Sequence, residues 1–225
     1  MHNMSNKLTQ VKSRIQQAAK SANRNPDDIT LLAVSKKQSV EKVRELILQG
    51  QQDFGENYLQ EAIEKIETLN DQQVRWHFIG PIQSNKTRSI ATHFDWVHSV
   101  DRLKVAQRLN DQRPEHLPPL KICIQVNIDG EDTKSGVNPS EVATLCREIA
   151  KLDKIEMHGL MCIPAKEGTD AFTRMQALFK AVGDEISLHH WDTLSMGMSA
   201  DLEEAIDAGS TIVRVGTALF GERKV

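Results

Sequence analysis

Residues 30–50 read "TLLAVSKKQSVEKVRELILQG". The apolar run at 31–34 is short and unbroken, the mark of a strand buried on both faces. Beyond it Val40, Val43 and Ile47 recur three or four residues apart, the period of an amphipathic helix. Gly50 stands where a helix C′ residue belongs. The stretch is one strand followed by one helix, and the same unit recurs almost to the end of the chain.

Further strands are predicted at "DFGEN" (53–57), "WHFIGPI" (76–82), "WVHSV" (96–100) and "KICIQVNI" (121–128). "MHGLMCIP" (157–164), "TLSMGM" (193–198) and "IVRVGTALF" (212–220) complete the set. Helical patterns such as Ala62, Ile63, Ile66 and Leu69 lie between them, and Gly209 repeats the C′ position of Gly50. Alternating strands and helices imply parallel pairing through right-handed crossovers. Eight units in 225 residues fit a (β/α)8 TIM barrel, for which roughly 250 residues is typical. An open doubly wound sheet fits less well, because no glycine-rich dinucleotide fingerprint follows the first strand. Residues 5–23 are expected to form an extra N-terminal helix, and no linker divides residues 1–225, so one domain is expected.

Composition narrows the function. The chain is 39% hydrophobic and 26% charged with a net charge of −3, and it has no basic run to support nucleic-acid or membrane-surface binding. No apolar stretch approaches the roughly 20 residues of a membrane span. The N-terminus lacks the apolar core of a signal peptide. Cys123, Cys146 and Cys162 are odd in number and widely spaced, which suits reduced thiols in the cytoplasm and no disulfide framework. The eight histidines show no metal-ligand spacing, so no metal site is expected.

In a barrel the active site lies at the C-terminal ends of the strands. The first strand ends in Lys36 and Lys37, and parity cannot choose between them when both strand faces are buried. A lysine desolvated at a barrel mouth has its charged form disfavoured, which releases an amine able to attack an aldehyde. The plainer alternative is a lysine snorkelling to water. Near the other end, "LSMGMSADLEEAIDAG" reads as strand, turn and helix, with Ser199 as the N-cap. Ser199, Gly216 and Thr217 then fall where barrels hold phosphate, after the seventh and eighth strands. Asp201, Glu203 and Glu204 would repel an anion unless they point away. Arg214, in mid-strand, needs an acceptor, either a carboxylate or a ligand nitrogen. An aldehyde-reactive lysine, a phosphate cradle and a buried arginine together describe a pyridoxal 5′-phosphate (PLP) site.

Seven segments carry a more specific signal: "LLAVSK", "FGENYLQE", "WHFIGPIQSNK", "VNIDGEDTKSG", "GLMCIP", "LSMGMSADLEEAI" and "GSTIVRVGTALFG". As a set in this order, from residue 31 to 221, they resemble the pyridoxal phosphate homeostasis protein family, whose fold is that of the alanine racemase N-terminal barrel. The resemblance implies that Lys36, rather than Lys37, carries PLP as a Schiff base. It implies that Ser199, Gly216 and Thr217 hold the phosphate, that Arg214 faces the pyridine nitrogen, and that Asn57, His77, Asn85 and Met198 line the pocket. For His77 a satisfied strand histidine is the alternative, and Lys134 reads as a solvated loop lysine.

Arginine opposite the ring nitrogen argues against strong electron-sink chemistry, since it cannot accept a pyridinium N–H. Alanine racemase works with that arrangement, but its second base is a tyrosine from an additional domain. Here the only tyrosine is Tyr58, and the sequence ends at Val225, soon after the last strand. No catalytic residue is therefore assigned. The expectation is a cytoplasmic, monomeric PLP carrier that acts in PLP homeostasis, with indirect effects on amino-acid and keto-acid balance and PLP-dependent apo-enzymes as possible recipients. The alternatives are a slow amino-acid racemase using Lys36 as its single base and a Schiff-base aldolase acting on a sugar phosphate.

Overall fold

The structure, a computed structural model, describes residues 2–165 and 170–221. Eight parallel strands close into a barrel in sequence order, with the last paired to the first. They are β1 (Thr30–Val34), β2 (Asp53–Glu56), β3 (Arg75–Phe78), β4 (Trp96–Val100), β5 (Leu120–Gln125), β6 (Ile155–Met161), β7 (Thr193–Met198) and β8 (Ile212–Val215). Helices α2 (Val40–Ile47), α3 (Leu59–Thr68), α4 (Thr87–His93) and α5 (Leu103–Gln112) follow the first four strands. Helices α6 (Val142–Ile149), α7 (Ala171–Glu185), α8 (Leu202–Asp207) and α9 (Thr217–Phe220) follow the rest. The extra helix α1 runs His2–Ser21, and its buried face, Leu8, Val11, Ile15 and Ala19, belongs to the main core. Gly50 and Gly209 follow α2 and α8 with φ of 85° and 94°, the left-handed conformation expected at helix ends.

Several strands are shorter than the apolar runs that announced them. The run at 76–82 stops pairing at Phe78, and Ile79–Ile82 turn across the barrel mouth instead. The run at 212–220 splits, because β8 ends at Val215 and Thr217–Phe220 form α9. β5 and β6 each begin before residues 121 and 157 and end well before 128 and 164. Apolar character continues past the ladder here because the chain leaving each strand still packs against the core.

Most of the core lies between strands and helices, where Leu31, Ala33, Phe54, Val97, Ile122, Val213 and their neighbours form one cluster. Inside the barrel Leu32, Ile79 and Ile212, with Val34 against them, make a second and much smaller one. The remaining interior is polar. Asp53, His77, His98, Ser195 and Arg214 are all buried, in a fold whose interior is usually filled by branched apolar residues.

Candidate functional site

Alternation along β1 separates the two lysines. Leu32 and Val34 point into the barrel, and Lys36 continues that parity onto its mouth, where it lines a cavity of about 270 Å³. Lys37 turns the other way with φ of 60°. Its N–H donates to Glu61 Oε1 at 2.6 Å and its ammonium lies 5.8 Å from the centre of the Tyr58 ring. A turn from Ser35 to Gln38, closed by the Gln38 N–H on the Ser35 carbonyl at 3.0 Å, produces this divergence.

That turn is clamped from below. Lys65 on α3 is buried and donates to the Ser35 carbonyl (2.7 Å), Glu56 Oε1 (2.8 Å) and Glu61 Oε1 (2.5 Å). The Ser35 hydroxyl also donates to Glu56 Oε1 at 2.6 Å, while Glu56 Oε2 is buried without a hydrogen-bond partner. Burial pushes the Glu56 carboxyl above its usual range, and the charge of Lys65 opposes that push. The helical pattern Ala62, Ile63, Ile66, Leu69 gave no sign of a buried cation, yet Lys65 shares a buried face with Ala62 and Leu69.

Lys36, Asn57, Met198, Ser199, Arg214, Gly216 and Thr217 all line the cavity. Gly80 helps place Asn57: a Cβ at Gly80 would lie 2.2 Å from the Asn57 carbonyl oxygen, so only glycine lets the β3 exit pass so closely. Asn57 Oδ1 is buried without a hydrogen-bond partner. Val34, Ile79, Ile163 and Ala200 complete the lining; they lie within the quoted motifs but were not singled out, since an apolar side chain there carries no chemical signal. Larger clefts lie between α5 and α6, about 490 Å³, and beside Tyr58 and Lys86, about 570 Å³, but neither gathers a comparable set of reactive groups.

Two expected pocket residues lie elsewhere. Asn85 is exposed on the 3-10 turn Ser84–Lys86, outside the cavity. His77 is fully inside the barrel beneath it, stacked on Trp96 with ring centroids 5.5 Å apart. The proposed N-cap role of Ser199 also needs correction. Asp201, not Ser199, occupies the N-cap position of α8, and its Oδ1 accepts the Met198 N–H at 2.5 Å rather than an N–H of the helix. Of the acids near the proposed anion site, Asp201 is engaged with the Met198 N–H, and Glu203 takes both the Nε and Nη2 of Arg14 at 2.7 and 2.8 Å. Arg14 also donates to the Ser199 carbonyl at 3.0 Å, so α1 helps hold the β7 exit in place. Lys134, on the "TKSG" loop, pairs with Glu131 at 2.6 Å.

Among the described residues Arg214 pairs with no carboxylate. Its Nη1 donates to Ser195 Oγ and its Nη2 to the Cys162 carbonyl, each at 2.8 Å. Ser195 Oγ lies 2.8 Å from His98 Nδ1, His98 Nε2 lies 2.9 Å from His77 Nδ1, and His77 Nε2 lies 3.1 Å from Asp53 Oδ1. Arg75, at the opposite end of the barrel, grips both Asp53 oxygens at 2.6 Å. Burial holds both imidazoles below their usual range, with the charge of Arg214 adding to the effect at His98. Burial alone would raise the Asp53 carboxyl, but hydrogen bonds from His77 and Arg75 outweigh it and hold the group at about 2. The thiols of Cys146 and Cys162 are pushed up to about 12 by burial, so neither is a nucleophile near neutral pH.

These shifts set a pH dependence of folding. The unfolded histidines gain protons below about pH 6.5, while the native rings stay neutral to lower pH, so stability falls as pH drops below that value. The slope is bounded at about 1.4 kcal/mol per pH unit for each ring. Asp53 stabilises the native state above pH 3.8, and its contribution is lost between there and about pH 2. Urea midpoints measured from pH 8 to 3 are expected to be level above pH 7 and then to decline. A curve that stays level down to pH 4 would contradict the neutral assignment of both rings.

Comparison with known proteins points the same way as the geometry. Residues 7–224 match a family described as alanine racemase, N-terminal domain. A relative from Pseudomonas aeruginosa named pyridoxal phosphate homeostasis protein is 50% identical, over 99% of this chain and 97% of its own length. The structure of PipY from Synechococcus elongatus with PLP bound is 33% identical with a TM-score of 0.86, covering 97% of this chain and all of that one. An alanine racemase from Clostridium difficile, 17% identical with a TM-score of 0.77 and covered over 58% of its length, shares the fold.

Proposed function

Because this chain belongs to the pyridoxal phosphate homeostasis protein family, within the alanine racemase N-terminal domain fold, we propose that it holds PLP in the cavity at the barrel mouth and serves intracellular PLP homeostasis. The observation that carries this reading is the convergence of Lys36, Arg214, Ser199 and Thr217 on one cavity. These groups suit the ligand: an amine for its aldehyde, hydroxyl donors for its phosphate and a guanidinium for its ring nitrogen. The unpartnered Asn57 Oδ1 adds an acceptor that a ligand donor would satisfy. When bound, the cofactor supplies an aldehyde on an electron-withdrawing ring.

In this reading Lys36 would hold the cofactor through its aldehyde, for which the amine at the cavity wall is the nucleophile available. Ser199, Gly216 and Thr217, at the β7 and β8 exits, would hold the phosphate, and Met198 would line the same pocket. Arg214 keeps its own proton and could only donate toward a ring nitrogen, which would leave that nitrogen neutral and the electron sink weak. A carrier is favoured over a racemase because Tyr58, the one tyrosine, lines the neighbouring cleft and not this cavity, where a second base would be needed. A cytoplasmic setting suits three buried, unpaired cysteines, and PLP-dependent apo-enzymes are the natural recipients.

Borohydride reduction of the PLP-loaded protein, followed by peptide mass mapping, tests the assignment. The adduct is expected on Lys36; none there, or one on Lys37 alone, would overturn it. Deuterium exchange at Cα of a panel of amino acids separates carrier from enzyme. The expected rate is no higher than free PLP gives, and turnover that vanishes in Lys36→Ala would establish a racemase instead.

A further inference from the structure

We propose that Asp53, His77, His98 and Ser195 are positioning residues for Arg214, forming a hydrogen-bond chain of one fixed direction that crosses the barrel and orients the guanidinium at the cavity. The orientation of Arg214 follows from the geometry of the ligand-free chain, whereas its effect on the cofactor rests on the function proposed above.

The direction of the chain follows from counting protons. Arg75 contacts both oxygens of Asp53, so that carboxylate is ionised and can only accept. His77 Nε2, 3.1 Å from Asp53 Oδ1, must therefore carry a hydrogen. A neutral imidazole has a single N–H, so His77 Nδ1 is an acceptor and takes the Nε2–H of His98 across 2.9 Å. His98 Nδ1 is left to accept, and the Ser195 hydroxyl donates to it across 2.8 Å. The Ser195 oxygen then accepts from Arg214 Nη1. Every joint runs from Arg214 toward Asp53, and every proton has one place.

Such a chain cannot deliver a proton to the cavity, because its last member is an arginine that does not give one up. What it supplies is orientation. The Cys162 carbonyl fixes Nη2 at one point, and Ser195 fixes Nη1 at a second, which together set the guanidinium plane. Ser195 offers its lone pair in that direction only while its own hydrogen is committed to His98. That commitment is set in turn by Asp53, at the far end of the barrel. A buried guanidinium without a carboxylate partner is costly, and aligned dipoles leading to a distant negative charge compensate part of that cost.

Two measurements test the relay. In long-range proton–nitrogen spectra of the ligand-free protein at pH 7, His77 and His98 are both expected to be neutral with the hydrogen on Nε2. An Nδ1–H tautomer or an imidazolium at either ring overturns the chain. The second measurement uses Ser195→Ala, which breaks the joint to Arg214, and Asp53→Asn, which removes the directing charge far from the cavity. Both are expected to shift the absorption band of bound PLP, and Ser195→Ala to raise its Kd about tenfold, the weight of one hydrogen bond to a charged group. In Asp53→Asn the histidine spectra should show mixed tautomers. A purely structural role would lower the melting temperature of these variants but leave band and tautomers unchanged, and that result refutes the proposal. Failure of the native protein to bind PLP would defeat the proposed function, while the ligand-free spectra would still decide the relay.

Discussion

Lys36→Ala is expected to leave no borohydride-fixable PLP on the protein and to weaken retention roughly a hundredfold, about 2.7 kcal/mol. The contacts around the phosphate and ring would remain, but the covalent link would not, and Lys37 cannot replace it. Lys37 is directed outward by its positive φ, its backbone N–H is committed to Glu61 and its ammonium lies over Tyr58. Equilibrium dialysis and mass mapping of Lys36→Ala beside Lys37→Ala give the comparison. A reducible adduct surviving in Lys36→Ala, or lost in Lys37→Ala, would reverse the roles assigned here.

The largest stability effect should come from Lys65→Met. Its side chain is only 4% exposed and that of Glu56 is fully buried. Removing the cation leaves a carboxylate in the interior whose Oε2 already lacks a partner. Breaking a buried pair from one side costs about 3–5 kcal/mol, whereas replacing both partners with apolar groups of similar size is often nearly neutral. Lys65→Met should therefore lower the melting temperature by about 10 °C for a chain of this size. The double variant Glu56→Leu/Lys65→Met should recover most of the loss. It should not recover PLP affinity, because the Ser35 carbonyl that anchors the lysine turn would still lack its donor. Equal destabilisation in the single and double variants would show that the loss comes from packing rather than from the unpaired charge.

The barrel itself was legible because its signal is periodic. Each apolar run of strand length was followed by a helical repeat, and eight such units in this length fit a closed parallel sheet better than an open doubly wound one. Strand ends were less legible, since hydrophobicity reports burial rather than pairing; Ile79–Ile82 and Thr217–Phe220 are apolar for packing reasons outside the ladder. The same limit explains Ser199 and Asp201, because either residue type caps a helix and only the backbone geometry selects Asp201. Asn85 and His77 lie in stretches rich in motif residues, yet one faces solvent and the other is turned into the barrel.

By itself the sequence determined the strand–helix alternation and the polar groups at the strand ends, because both follow from local period and residue type. Its motifs also picked out Lys36 over its neighbour, but spacing alone gave no physical reason for that choice. Only the tertiary structure supplied one. Closure of the barrel defines an inside, Leu32 and Val34 occupy it, and Lys36 inherits their direction while the turn sends Lys37 away. Closure likewise brings Asp53, His77, His98, Ser195 and Arg214 into one line although their strands are far apart in sequence. No local pattern encodes such a line, since each member contributes a single joint and the direction exists only when all of them meet.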